Sequence, residues 1–258
     1  MSLVAMITFT SDFGSRYAAA VRGVLLTLTE TPMADVTHTL PRSSLVAAAF
    51  WVDQLVQMFP PAVHLIAADP TRGASSVTLI GVVGDHVLVG PDNGVCWPIA
   101  RTLAASSDAS PVWYRADAAE SRFPTRDVRG PIAAQLDADL MAVLDSCDVI
   151  ETPTRLTIPE GRFTDVGAVG EVITVDHFGN LITSIPEGFI ATAHEQQVRI
   201  GGANARVLDA QTPPPADALV VTEGEHGRVE VALGGGSAAQ ELGMTDGDVV
   251  RIDVIAAN

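Results

Sequence analysis

Apolar positions fall into two textures along the chain. Through the first 160 residues, short runs rich in β-branched side chains alternate with longer segments whose apolar residues recur every three or four positions. That alternation predicts parallel strands joined by crossover helices. Residues 4–10 read as a first strand, 17–28 as a helix and 34–39 as a second strand. Leu45, Ala48, Ala49, Val52, Leu55, Val56 and Phe59 then mark one helical face, with Ser43 and Ser44 as capping candidates and Pro60-Pro61 as the stop. Residues 63–68 read as a third strand ending on Asp69-Pro70. Residues 77–83 and 87–89 flank Gly84-Asp85, a hairpin signal. The Ser- and Asp-rich stretch up to Arg126 reads as irregular, and residues 131–144 as a last amphipathic helix.

From Gly161 the apolar runs shorten. Residues 170–174, 181–185, 197–200, 218–222, 228–233 and 248–255 alternate apolar and polar positions between Gly, Pro and Asp turns, the signature of a small antiparallel barrel or sandwich. The expected fold class is therefore α/β. An N-terminal α/β domain over residues 1–160, with a central largely parallel sheet, precedes a smaller C-terminal antiparallel β-barrel or sandwich domain over 161–258. A length of 258 residues suits one large and one small core.

Composition narrows the function. With 47% hydrophobic residues the chain can bury a sizeable core, yet no apolar run approaches the roughly 20 residues of a membrane span, so a soluble protein without a membrane partner is expected. The first residues run into a strand without the basic flank and cleavage site of a secretory signal, which reads as cytoplasmic. Net charge is −16, and all 15 basic residues are arginine. Such a surface repels phosphates and argues against a nucleic-acid partner. It fits a salt-rich, halophilic cytoplasm, where counterions screen the self-repulsion. Cys96 and Cys147 lack CxxC spacing and read as buried free thiols, neither a disulfide nor a zinc site.

Candidate chemistry gathers in three short runs. Thr10-Ser11-Asp12-Phe13-Gly14, Pro91-Asp92-Asn93-Gly94 and Asp176-His177-Phe178-Gly179-Asn180 each place an acid or amide beside a glycine at the end of an apolar strand. Open α/β sheets present groups to ligands from that position. A carboxylate such as Asp12 suits a ribose diol, though Asp12 also fits an N-cap or turn. Asp-x-Phe-Gly-Asn taken alone fits an Asx-capped turn. His38 reads as a hydrogen-bonded structural residue, His64, His86 and His194 have no partner spacing, and His177 and His226 flank the proposed pocket. No His/Asp/Glu cluster has metal-ligand spacing, so no metal is expected. Gly234-Gly235-Gly236 lacks the Lys-Ser/Thr of a phosphate loop and reads as a turn.

These runs, with residues 35–41, Asp69-Pro70 and Gly73, Arg126-Asp127, residues 131–134 and the final Ser237-Ala238-Ala239, Leu242-Gly243 and Gly247-Asp248, occur in the order found in a known family. The chain resembles the S-adenosyl-L-methionine hydroxide adenosyltransferases, whose fold is shared with fluorinating and chlorinating adenosyl halide synthases. The resemblance spans nearly the whole chain. It implies an α/β N-domain and a β C-domain in a homotrimer, with the ligand at the interface between subunits. It also implies S-adenosyl-L-methionine as a substrate attacked at C5′, with no cofactor.

Site residues follow from the same resemblance. Asp12 matches the ribose ligand, Asp176 and Asn180 match contacts to the methionine ammonium and the adenine edge, and Phe178 lies beside the base. Tyr17 falls near the amino acid end, Phe123 opens the run that carries the catalytic histidine in relatives, and Glu225 replaces a family serine at the ligand's polar end. Arg42 takes a place near the adenine that is often apolar or aromatic. Asp69 matches the catalytic aspartate. The family arginine position is Ser76, the histidine position is Pro124, and Gln135 replaces another histidine. Arg72 is the nearest guanidinium in sequence to Asp69, and Thr125 aligns with the serine of the fluorinating enzyme. Asp69 speaks against halide, because a carboxylate repels an incoming anion. Hydrolysis to adenosine and methionine is the leading expectation. A noncatalytic nucleoside binder and adenosyl transfer to another nucleophile such as halide remain open.

Overall fold

The computed structural model describes residues 6–69, 77–117 and 121–255. The chain forms two compact units, 1–157 and 158–258.

In the first unit, β1 (Ile7–Ser11) leads into α1 (Ser15–Leu28), β2 (Met33–Thr37), α2 (Leu45–Val56) and β3 (Val63–Ala67). The hairpin β4 (Thr78–Val83) and β5 (His86–Pro91) follows, then α3 (Cys96–Ser107) and β6 (Val112–Ala116). A π-helix, Thr125–Arg129, runs into α4 (Gly130–Ala138), α5 (Leu140–Leu144) and the edge strand β7 (Asp148–Ile150). The seven strands are ordered β2-β1-β3-β5-β4-β6-β7. The first four are parallel, and β4, β6 and β7 add antiparallel pairings.

Successive residues of β3 explain the layering. Leu65 faces a core built with Ala18, Val21 and Leu25 of α1 and Ala133 and Leu136 of α4, whereas Ile66 faces Ala48, Val52 and Val56 of α2 and Ile99 and Leu103 of α3. Every residue of β1 and β3 is buried, as expected for parallel strands covered on both faces. Connections leave β1 toward β2 on one side and β3 toward β4 and β5 on the other, so the sheet's topological switch point lies between the carboxyl ends of β1 and β3.

Three expectations for this unit change. The stretch read as irregular contains α3 and β6. Ser106 and Ser107 at the end of α3 donate to the carbonyls of Thr102 and Leu103, closing a helix whose serine-rich tail resembles a loop. β6 pairs with β4, and Gly81 makes this possible, since a Cβ there would stand 2.6 Å from the Trp113 ring. The single helix expected over 131–144 is broken at Asp139, which leaves helical geometry and accepts from Ala142 N to cap α5. Of the cysteines, Cys96 is buried but Cys147 is only partly so.

The second unit holds β8 (Arg162–Thr164), β9 (Gly167–Val175), β10 (Leu181–Pro186), α6 (Gly188–Ala193), β11 (Gln197–Ile200) and β12 (Ala203–Val207). β13 (Leu219–Glu223), β14 (Arg228–Leu233), α7 (Ala238–Leu242) and β15 (Val249–Val254) complete it. The order β10-β14-β13-β12-β11-β15-β9, closed by β9 against β10, makes a seven-stranded barrel with β8 appended. One pairing departs from the antiparallel expectation, since β12 and β13 run parallel across the long loop that contains residues 212–215. Inward residues such as Val172, Leu181, Val198, Val221, Val231 and Ile252 fill the barrel.

Candidate functional site

Two aspartates meet at the switch point of the sheet. Asp12 directly follows β1, is 7% exposed, and donates its N–H to the carbonyl of Ala67 at 3.1 Å. Asp69 lies two residues past β3, and its N–H donates to the Asp12 carboxylate. Burial raises the Asp12 pKa. The Arg42 guanidinium 4.0 Å away and the two backbone donors pull against that, while the Asp69 charge adds to it. Neighbouring loops are tied down by the backbone. Gly14 N donates to His38 O at 2.7 Å, and Leu40 N to Ser11 O at 3.2 Å. His38 sits between Ser11 Oγ at 2.9 Å and Asp35 Oδ1 at 3.3 Å, a structural histidine as expected.

Pro91-Asp92-Asn93-Gly94 braces this edge. Asn93 donates to the carbonyl of Ala68 at 2.8 Å and accepts from Val95 N, fixing the residue before Asp69. Asp92 accepts from Thr154 N at 2.7 Å. The π-helix closes another side. Gly130 N reaches back five residues to Thr125 O, and this wide turn puts Thr125 and Arg129, both buried, on its inner face. Arg129 feels the charge of Asp69. Burial pulls its pKa down from the usual arginine value, and the Asp69 carboxylate acts against that. Cys96, also beside Arg129, is pushed up to about 12 by burial and is an inert thiol.

Arg126 and Asp127 face outward on the same π-helix. They pair at 2.5 Å, with the guanidinium 4.6 Å from the Phe123 ring centroid and Ser121 Oγ donating to Asp127 at 2.6 Å. Phe123 is 53% exposed, and Tyr17, on the first turn of α1, is 71% exposed. Arg72 and Ser76 lie outside the described residues. The structure thus brings Asp12, Asp69 and Arg42 together and adds Arg129, which sequence reasoning passes over.

In the second unit, the Asp176–Asn180 loop is held by its own aspartate. Asp176 accepts from Phe178 N at 2.8 Å, Asn180 N at 2.9 Å and the Asn180 side chain at 3.0 Å. Gly179 needs its positive φ of 86°, and a Cβ there would meet Ser237 Cα at 2.9 Å. Ala239 N donates to Gly179 O, tying the loop to α7. Phe178 is 67% exposed, with the His177 ring 3.7 Å away. Asn180 also donates to Glu230, a β14 residue that sequence reasoning misses. Burial, then the charges of Asp176 and Glu225, raise the Glu230 pKa. Asp176, Asn180, Glu225 and Glu230 therefore form one acidic patch. Among the described residues, no group of three or more His, Cys, Asp or Glu side chains could hold a metal ion.

Away from these edges, His64 and His86 partner each other, contrary to the expectation from spacing. His64 Nδ1 lies 2.8 Å from Thr8 Oγ1, and its Nε2 lies 2.9 Å from His86 Nδ1. Among the described residues, no helix is long and apolar enough to cross a membrane.

A doubly wound sheet with carboxylates at its switch point, followed by a closed seven-stranded barrel, defines a two-part α/β and β-barrel protein of the kind that takes a small ligand at strand ends. Residues 7–143 match the N-terminal domain, and residues 170–251 the C-terminal domain, of SAM hydroxide adenosyltransferases. The chain belongs to the S-adenosyl-L-methionine hydroxide adenosyltransferase family. It is 35% identical over 259 residues to the (R)-S-adenosyl-L-methionine hydrolase of Salinispora tropica, covering 95% of this chain and 97% of that protein. It is 32% identical to the protein of the same name from Thermus thermophilus, over 95% and 98% of the two chains. A crystal structure from Thermotoga maritima superposes with a TM-score of 0.80 at 24% identity, covering 96% of this chain and all of that one. A crystal structure of a conserved protein from Thermus thermophilus gives 0.73 at 30% identity and the same coverage.

Proposed function

We propose that this chain hydrolyses S-adenosyl-L-methionine to adenosine and L-methionine, with the R sulfonium epimer as substrate, as the names of its relatives suggest. The observation that carries the reading is the pair Asp12 and Asp69 at adjoining strand ends, one buried and hydrogen-bonded by the other's backbone. In the proposed reaction a water oxygen bonds to C5′ as the C5′–S bond breaks. The bonding pair passes to sulfur, which leaves as a neutral thioether. Asp12 receives the ribose hydroxyls. Asp69 fixes the water lone pair in line with the C5′–S bond, accepts the one proton the water loses and returns it to solvent. Thr125 is the further candidate for holding that water, and Arg72 remains a catalytic candidate from the family resemblance alone.

Tyr17, Phe123, Asp176, Phe178, Asn180 and Glu225 serve the rest of the substrate. An acidic patch of Asp176, Glu225 and Glu230 suits an ammonium and a sulfonium. It also resists halide, as Asp69 does. Exposure of Tyr17, Phe123 and Phe178 in the single chain supports a homotrimer in which a neighbouring subunit covers them, with the substrate at that interface. The acidic, lysine-free composition supports a salt-rich cytoplasm as the working medium.

The test is to incubate the purified protein with S-adenosyl-L-methionine in molar potassium chloride and follow adenosine by chromatography. Adenosine should form at least about 100-fold faster than with Asp69→Ala. No excess over that variant removes the hydrolase reading, and saturable binding without turnover replaces it with a binder. Accumulation of 5′-chloro-5′-deoxyadenosine replaces it with halide transfer.

A further inference from the structure

His38 closes a network of polar groups around the turn that carries Asp12. Its Nδ1 lies 2.9 Å from Ser11 Oγ, and its Nε2 lies 3.3 Å from Asp35 Oδ1. Arg22 of α1 donates to the other oxygen of Asp35. A carboxylate only accepts, so Nε2 carries a hydrogen and, in the neutral ring, Nδ1 accepts from the Ser11 hydroxyl. Hydroxyl, imidazole and carboxylate follow one another as in a hydrolytic triad. Ser11 is fully buried, however, and offers no oxygen to a substrate. That burial leaves the network positioning rather than nucleophilic attack.

What it holds is the turn. The imidazole ring meets Ser11, the residue before Asp12, and the carbonyl of His38 accepts from Gly14 N at 2.7 Å, so one residue grips both sides of Asp12-Phe13. Leu40 N adds a bond to Ser11 O at 3.2 Å, and the Phe9 ring centroid lies 4.8 Å from that of the imidazole. Strand β2 is irregular where this happens. Phe9 pairs with Asp35 but Thr10 with Thr37, so β2 carries one extra residue, Val36, against β1. In an unbroken strand, residues three apart point to opposite faces, and the bulge lets Asp35 and His38 meet.

We propose that His38 is a positioning residue for ribose recognition: by clamping the turn at Ser11 and Gly14 it fixes the direction in which Asp12 presents its carboxylate to the sugar diol. This deepens the reading of Asp12 as the ribose ligand and rests on it. Two hydroxyls on one carboxylate demand a set direction as well as a set distance. His38 acts through Asp12 and touches no part of the substrate, so its loss should cost the diol contact and spare the adenine.

The experiment measures affinity for adenosine and for 2′,3′-dideoxyadenosine by calorimetry, with circular dichroism on each protein. It compares wild type, His38→Phe, Ser11→Ala, the double variant and Asp12→Ala. Phenylalanine keeps a ring against Phe9 while removing both nitrogens. Wild type should bind adenosine at least about 10-fold more tightly than the dideoxynucleoside, the scale of a hydrogen bond to a charged group. In His38→Phe and in Ser11→Ala that preference should shrink at least about 5-fold through weaker adenosine binding, with dideoxyadenosine affinity within about 3-fold of wild type. The double variant should fall no more than about 2-fold below either single change, because both remove the same hydrogen bond. A smaller shrinkage in either single variant overturns the inference. So does equal weakening of both nucleosides, which a merely structural role would give, or a larger extra loss in the double variant. Should the phenylalanine variant not fold, Ser11→Ala decides alone by the same limits. Wild type short of that preference, or Asp12→Ala that keeps it, would instead sink the ribose reading of Asp12 and this inference with it. Adenosine release from S-adenosyl-L-methionine tests hydrolysis separately.

Discussion

The two units handle charge in opposite ways. At the sheet edge of the first, the buried Asp12 is answered by Arg42 and backbone donors, and the half-buried Asp69 lies within the field of the buried Arg129. On the barrel loop of the second, Asp176, Glu225 and Glu230 stand together, and in that patch Asp176 and Glu230 accept from amide donors of Phe178 and Asn180. The first arrangement spends folding stability to hold a few polar atoms in fixed directions, which chemistry needs. The second gathers negative charge on one loop, which on the proposed reading suits a cationic substrate.

Removing a charge should therefore harm the first edge and relieve the second. Asp12→Ala should weaken adenosine binding by about 1.5–3 kcal/mol in calorimetry, the scale of hydrogen bonds to a charged group. Unchanged affinity in a folded variant would reduce Asp12 to a turn residue.

A second prediction concerns burial without a counter-charge. His64 is fully buried, and burial first, then His86, lowers its pKa to about 3. The unfolded chain takes up that proton near the ordinary histidine value, whereas the folded chain does not until about 3, so stability drains away as pH falls between them. The slope is about 1.4 kcal/mol per pH unit. Between about pH 7 and pH 5, urea titration should show wild type losing about 2 kcal/mol more than His64→Gln. Parallel losses would mean that His64 is protonated in the fold.

The smallest effect falls on the barrel. Burial and two acidic neighbours raise the Glu230 pKa, so the folded state binds that proton more tightly than the unfolded chain and loses stability as pH climbs past the carboxylate range. Glu230→Gln should gain about 0.5 kcal/mol at neutral pH, the scale of a half-exposed charge pair. A loss of stability would show that the patch is compensated after all.

Much of this was legible in the sequence because local signals and tertiary context agreed. β1 and β3 read as strands from continuous apolar runs, and Asp12, Asp69 and Asp176 stand out as acids directly after such runs. α3 is hidden by a serine tail whose hydroxyls bond back to the helix, and β12 by a parallel partner reached only across a long loop. His64 and His86 sit 22 residues apart and meet through parallel pairing of β3 with β5, which no spacing rule reveals. Sequence favours Arg72 over Arg129 because nearness along the chain to Asp69 is the guide it offers. The one signal that could have found Arg129 is an arginine four residues after Thr125, a separation that a π-turn converts into a shared buried face.

The central claim is that oxygen from water attacks C5′. Running the reaction in water enriched in oxygen-18 and weighing both products by mass spectrometry tests it directly. Adenosine should be heavier by one labelled oxygen at its 5′ position, with methionine unlabelled. Unlabelled adenosine, or label in methionine, would contradict the account.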